Sequence, residues 1–271
     1  MNTDYIMQGD SAQLLKTLPD NSIDMVLTSP PYDNLRKYNG FTFDFEAIAK
    51  ELYRVVKPGG VVVWVVGDET VEGSESGTSF RQALFFKNIG FNIHDTMIYE
   101  KKQACFGSNL CYLQSFEYMF VLSKGRPKAI NLIYDRPNAI QGVVSTAVGS
   151  KKKNEHGSVP RKMIEYQELG RRKNIWTYSV GGGDTGHPAV FPIELAKDHI
   201  ISWSNVGDTI LDCFLGSGTT AVACIETKRH YIGFEISEEY MKICESRIAD
   251  ATKIANQITF EDLFNYGSED N

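Results

Sequence analysis

Apolar positions along the chain follow two different periods. The runs Ile23-Asp24-Met25-Val26-Leu27, Val61 to Val66, Thr209 to Phe214 and His230 to Phe234 are short and nearly continuous. Such runs, rich in β-branched residues, predict strands buried on both faces, as in a parallel sheet. The segments between them space their apolar residues three and four apart. Leu14, Leu15 and Leu18 predict a short helix from Ser11, and Ile48, Ala49, Leu52, Tyr53 and Val56 predict one from Phe45, stopped by Lys57-Pro58-Gly59-Gly60. Ser79 to Ile89, Ile193 to Trp203, Ala221 to Thr227 and Ser237 to Ala255 predict four more. Tyr5 to Gln8 reads as a first strand, and Phe91 to Glu100 with Glu117 to Leu122 as an antiparallel hairpin at a sheet edge. Strands alternating with helices predict an α/β fold with a doubly wound, mostly parallel sheet.

Two of these strands break in unusual ways. After Leu27 comes Thr28-Ser29-Pro30-Pro31-Tyr32. Two prolines fix φ near −65°, remove two backbone donors and hold Ser29 extended, so the loop is neither helix nor ladder strand. A hydroxyl, unpaired carbonyls and a flat ring beside them suit a planar base carrying an NH2 group; taken by itself, the tripeptide reads first as a plain proline turn. The second break follows Asp212-Cys213-Phe214, where Leu215-Gly216-Ser217-Gly218-Thr219-Thr220 turns into a helix. Glycines let a ligand approach the backbone, and a helix start offers free N–H donors. Glu235 closes the following strand, where a carboxylate accepts from ribose hydroxyls. A third glycine is absent, so a nicotinamide-dependent oxidoreductase is disfavoured, and with no Gly-Lys-Ser/Thr a triphosphate cradle is too.

The pair T-S-P-P-Y and D-C-F-L-G-S-G-T-T, in that order, resembles the S-adenosylmethionine-dependent DNA amino-methyltransferases, and within them the permuted beta class. The likeness runs over most of the chain. It implies a Rossmann-like class I fold, circularly permuted, with a seven-stranded sheet and one antiparallel edge strand. It implies S-adenosylmethionine as cofactor, double-stranded DNA as partner and catalysis by Ser29, Pro30, Pro31 and Tyr32. Thr28, Asp212, Phe214, Gly216, Ser217, Gly218, Thr219, Thr220 and Glu235 become cofactor candidates. So do His187 and Phe191 in the run H-P-A-V-F-P, where His187 either meets the cofactor carboxylate or caps a turn, and Asp10, which either sits near the adenine or caps the helix from Ser11. In the family a leading Ser is commonly associated with the N4 amine of cytosine and Asp with the N6 amine of adenine, so Ser29 favours cytosine. Adenine of the same fold is the alternative, and an inactive DNA-binding module the remote one. The target base is expected to be flipped out of the duplex.

Length and charge then refine this picture. The 271 residues suit one catalytic domain carrying one insertion, expected at 124–174, where periodicity fades and Gly and Pro rise. A net charge of −6 at first argues against a polyanionic partner. Its distribution answers that: Lys151, Lys152, Lys153, Arg161, Lys162, Arg171, Arg172 and Lys173 face only three acidic residues in the same stretch. This basic segment is the candidate for recognition, with Arg171, Arg172 and Lys173 foremost, and a solvated charged loop is its bland reading. Trp176 and Tyr178 are expected to pack. Five cysteines without CxxC or Cys/His spacing predict reduced thiols and no metal, with Cys213 and Cys224 in the core. No 18-residue apolar run or leader is evident, so a cytoplasmic, membrane-free protein is expected, monomeric or homodimeric, with a cognate restriction endonuclease as a conceivable partner.

Overall fold

The computed structural model describes residues 1–31, 44–103, 111–147, 161–180 and 192–265. In chain order the elements are β1 (Tyr5–Gln8), α1 (Ser11–Leu14), β2 (Ile23–Thr28), α2 (Phe45–Val55), β3 (Val56–Val66), β4 (Thr70–Val71), β5 (Ser74–Glu75), α3 (Thr78–Asn88), β6 (Asn92–Lys101) and β7 (Phe116–Ser123). Then follow β8 (Tyr134–Pro137), β9 (Gly142–Ala147), β10 (Arg161–Tyr166), β11 (Leu169–Arg171), β12 (Ile175–Tyr178), α4 (Ile193–Trp203), β13 (Thr209–Asp212), α5 (Thr219–Glu226), β14 (His230–Glu235) and α6 (Glu238–Asn265). By its contacts the chain divides into two units, Leu132–Lys173 and the remainder.

The larger unit is built on a sheet ordered β1-β14-β13-β2-β3-β7-β6-β12. Every neighbouring pair is parallel except those made by β7, which runs antiparallel to both β3 and β6. Seven strands with the antiparallel one at the edge were expected; among the described residues there are eight, and β7 lies third from the edge. The difference is β12. Its four residues pair with the outer side of β6, from Ile175 opposite Ile98 to Tyr178 opposite Lys101. Trp176 is buried there, so this segment is a strand as well as packing bulk. A second difference is that Lys57-Pro58-Gly59-Gly60 does not merely stop a helix. It enters β3 through an irregularity between Ile23 and Met25 of β2, with Gly59 at φ 85°.

Both faces of the sheet are covered. Side chains alternate across a strand, so Val62, Trp64 and Val66 join Ile48, Leu52 and Phe86 of α2 and α3 in one core cluster, while Val61, Val63 and Val65 are buried outside it. Trp64 donates its indole N–H to Gln82 at 2.8 Å, which satisfies the one polar atom of that core ring. On the other face His199 of α4 meets Met119 of β7 at 3.1 Å and Trp176 of β12 at a ring separation of 4.6 Å. The connections from β2 to β3 and from β13 to β14 run outward in opposite directions. The gap between β2 and β13 is thus the switch point of the sheet, and ligands of such folds lie beyond the strand carboxyl ends there.

The smaller unit contains two antiparallel pairs, β8 with β11 and β9 with β10. The sequence pattern foresees no strands there, because apolar Val143 and Met163 are exposed and mark no buried face. Lys124 to Asn131 belongs to the larger unit. Lys124 Nζ donates to Tyr53 O at 2.6 Å and Val56 O at 2.9 Å, and Asn131 Nδ2 to Ser204 O at 3.0 Å.

Candidate active site

At the switch point the two irregular loops leave adjacent strands. Leu211 stands opposite Val26, which brings Asp212 beside Thr28. Thr28 Oγ1 donates to Asp212 Oδ1 at 2.6 Å, Thr220 Oγ1 to Asp212 Oδ2 at 2.6 Å, and the Phe214 N–H to Oδ1 at 3.0 Å. One carboxylate therefore ties the start of the Ser29-Pro30-Pro31 loop to both ends of the glycine turn. It does so in full burial, which pushes the Asp212 carboxyl up to about 6 against the hydrogen bonds from Thr220, Thr28 and Phe214. Pro30 is buried, while Ser29 and Pro31 are half-buried at the rim.

The glycine turn is held as firmly as its entry. Gly216 and Gly218 lie at φ 54° and 86°, the left-handed region that favours glycine. A Cβ on Gly218 would stand 2.5 Å from Cys244 Sγ of α6. Gly216 N donates to Glu235 Oε2 and Ser237 N to Glu235 Oε1, each at 2.8 Å. Each oxygen of this buried carboxylate thus takes one backbone donor and keeps lone-pair capacity for another. Phe214 presents a half-buried ring against Trp64, with ring centroids 6.4 Å apart.

The β1 end closes the same rim. Gly9 N donates to Glu235 O at 2.9 Å, and Ser11 Oγ donates to Cys213 O. Asp10 accepts the Gln13 N–H at 3.1 Å as the N-cap of α1. The cap uses one oxygen of Asp10, which lies next to the Glu235 strand end. Asp68, at the carboxyl end of β3, accepts from Ser79 N at 2.9 Å and from the Ser79 hydroxyl, so it is committed to the start of α3.

Thr28, Ser29, Pro30, Pro31, Asp212, Phe214, Gly216, Ser217, Gly218, Thr219, Thr220 and Glu235 are therefore brought to one end of the sheet. Tyr32, His187, Phe191, Lys151, Lys152 and Lys153 lie outside the described residues, and the side chains of Arg161 and Lys162 do too. Cys213 and Cys224 are buried, and burial raises both thiols. Among the described residues no group of His, Cys, Asp and Glu could hold a metal, and no helix is long and apolar enough to cross a membrane.

In the smaller unit the basic residues differ in kind. Arg172 donates through Nε to Asp135 Oδ2 at 2.7 Å and through a second nitrogen to the same oxygen, and this guanidinium holds the Asp135 carboxyl below its ordinary range. Arg171, its neighbour, is exposed.

A residue with no motif to announce it also reaches the turn. Arg247 of α6 donates through one nitrogen to Ser217 O at 2.6 Å, Ser217 Oγ at 2.9 Å and Thr219 Oγ1 at 3.3 Å. Only its helical spacing from Met241 and Cys244 hinted that it faces inward.

Comparison with known proteins gives the family and the fold. The N6_N4_Mtase family model, DNA methylase, matches residues 23–246. The orphan methyltransferase M.BamHII of Bacillus amyloliquefaciens is 51% identical over 241 residues, covering 86% of this chain and 91% of the relative. Among solved structures, the PvuII DNA methyltransferase (cytosine-N4-specific) aligns with a TM-score of 0.66 at 21% identity, over 95% of this chain and 93% of that one. M1.HpyAVI in complex with SAM aligns at 0.58 and 23%, over 90% of this chain and 98% of that one. The two structural matches bear on the fold.

Proposed function

Because the chain belongs to the N6_N4_Mtase family of DNA methylases, we propose that it moves a methyl group from S-adenosylmethionine to the exocyclic N4 amine of a cytosine flipped out of double-stranded DNA. The observation that carries this reading is the 2.6 Å hydrogen bond from Thr28 to Asp212. It ties the start of the Ser29-Pro30-Pro31 loop to the glycine turn on the neighbouring strand at the switch point, which supports reading the two as one site.

The residues present fit S-adenosylmethionine. Gly216, left-handed and without a side chain, allows close approach to the backbone, and Glu235 retains one acceptor site on each oxygen, which matches the two hydroxyls of a ribose. When bound, this cofactor supplies an electrophilic methyl group on a sulfonium. The protein's part is to present the nucleophile. The lone pair of an exocyclic amine is conjugated into its ring and attacks poorly. The Ser29 hydroxyl and the Pro30 carbonyl accept one N–H each, which holds the nitrogen and favours tetrahedral geometry. Transfer forms the N–C bond as the C–S bond breaks to leave a neutral thioether. Ser29 is too weak a base to remove a proton early, so the methylated nitrogen loses its proton to solvent afterwards and the barrier falls mainly through positioning, worth up to about 7–11 kcal/mol in well-oriented systems. Unstacking the base costs a few kcal/mol, which polar contacts and the ring of Tyr32 offset. Cytosine rests on Ser29 standing where an aspartate goes with adenine.

The unit Leu132–Lys173 supplies the contact with DNA, Arg171 offering its exposed charge to phosphate or guanine and Arg172 acting through its pair with Asp135. The reading is tested by calorimetric titration with S-adenosylhomocysteine and by transfer of labelled methyl groups to duplex DNA. Saturable binding and incorporation are expected; a protein that binds neither cofactor nor DNA overturns it.

A further inference from the structure

The cofactor reading leaves α6 without a role, yet this helix touches the glycine turn at two points. Cys244 and Arg247 are three residues apart and so share a face of the helix. Cys244 is fully buried against Gly218, close enough that an added methyl would collide with its sulfur. Arg247 grips the residues on either side of Gly218, the carbonyl and hydroxyl of Ser217 and the hydroxyl of Thr219. Ser217 and Thr219 are themselves buried, at 3% and 4% exposure, so water does not compete for these acceptors. A charged donor to a buried neutral acceptor is among the stronger hydrogen bonds a protein makes. Among the described ion pairs none involves Arg247, so its charge is directed to the turn and not to a carboxylate on its own helix.

We propose that Arg247 is a positioning residue for the cofactor turn: from α6 it holds Ser217 and Thr219 so that Gly216 to Thr220 stay in the shape that receives S-adenosylmethionine. The inference rests on the assignment of this turn to the cofactor. Gly218 must be glycine to accept both its φ and Cys244, which leaves the turn with little stiffness of its own. The guanidinium restores it, clamping both flanks where proline or a side-chain brace would block the ligand. Through this clamp α6 acts on the affinity for the methyl donor and not on the transfer step, which belongs to Ser29 and Pro30.

The test compares wild type with Arg247→Ala and Arg247→Lys, using calorimetric titration with S-adenosylhomocysteine, steady-state methylation and thermal unfolding. Loss of one or two charge-assisted hydrogen bonds predicts a fall of about ten- to a hundred-fold in affinity for Arg247→Ala, with a similar rise in KM for S-adenosylmethionine. The kcat at saturating cofactor stays within about twofold, as expected when uniform binding alone is lost. Arg247→Lys keeps a donor to one flank and recovers part of the affinity. Wild-type affinity in folded Arg247→Ala overturns the proposal. So does a lowered melting temperature with unchanged affinity of the folded fraction, which would mark Arg247 as merely structural. Should Arg247→Ala fail to fold, Arg247→Lys decides alone, by whether its affinity falls. A wild-type protein that binds no S-adenosylhomocysteine contradicts the cofactor assignment itself.

Discussion

Thr28 Oγ1 and Asp212 Oδ1 are 2.6 Å apart although 184 residues separate them in sequence. Both are fully buried, and the hydroxyl belongs to the last residue of β2 while the carboxylate is the last of β13. Replacing Thr28 with Val keeps the shape and removes the donor. A buried carboxylate that loses one of its three partners costs about 1–3 kcal/mol. Urea unfolding of Thr28→Val should show that loss, together with weaker binding of S-adenosylhomocysteine because the turn is entered from Asp212.

Asp212 also sets a pH dependence. Its carboxyl titrates at about 6 in the folded protein, against 3.8 as the ordinary value, because burial disfavours the charge. As the pH falls the native state takes up this proton before the unfolded state does. Its contribution is therefore fully favourable below about 4 and is lost as the pH rises through about 6, a swing of about 3 kcal/mol. The difference in unfolding free energy between wild type and Asp212→Asn, followed from pH about 4 to about 7, isolates this group from the other carboxylates. Parallel pH profiles for the two proteins would contradict the assignment.

Gly218→Ala combines two separable penalties. A left-handed φ of 86° costs an alanine about 1–2 kcal/mol, and the contact with Cys244 Sγ adds about 1–3 kcal/mol of overpacking. Pairing it with Cys244→Ala removes the collision but not the backbone strain. Thermal unfolding of the two single variants and the double variant should show a double variant more stable than the two losses predict when added.

Ser29→Ala separates chemistry from folding. The side chain is half-buried, so stability should change by no more than about 0.5 kcal/mol. Methyl transfer should fall about a hundred-fold, the scale for one aligned hydrogen bond at a reacting group, with affinity for S-adenosylhomocysteine unchanged. A Ser29→Ala protein with full turnover removes the role given to the hydroxyl.

The two neighbouring arginines of the smaller unit should behave differently on DNA. Arg171→Ala loses an exposed charge, so binding should weaken and the logarithmic salt slope shrink by about 1. Arg172→Ala frees Asp135, and its effect should shrink when Asp135→Ala is added. Fluorescence anisotropy over a salt series measures both.

What the sequence made legible follows from physics. Ile23 to Leu27 and Thr209 to Asp212 are apolar runs ended by residues that cannot continue a ladder, so both the strands and their loops could be read directly. Ile175 to Tyr178 could not: four residues carry no periodicity, and their pairing exists only because β6 offers an open edge. The strand pairs of the smaller unit were silent because apolar Val143 and Met163 are exposed and mark no buried face. Asp10 was legible as a cap, which the Gln13 N–H shows, while the adenine role implied by the resemblance rests on its place beside the Glu235 strand end. Arg247 was hidden for the opposite reason to β12. A charged residue on a long helix reads as a solvated face, and nothing local indicates that Ser217 and Thr219 fold back to meet it.

The most direct test of the central claim is to incubate the protein with unmethylated duplex DNA and isotopically labelled S-adenosylmethionine, digest the DNA to nucleosides and identify the labelled product by mass spectrometry. Label in N4-methylcytosine is the predicted result. Label in N6-methyladenine would contradict the reading of Ser29, and no labelled nucleoside on DNA of varied sequence would contradict the account of the site as a whole.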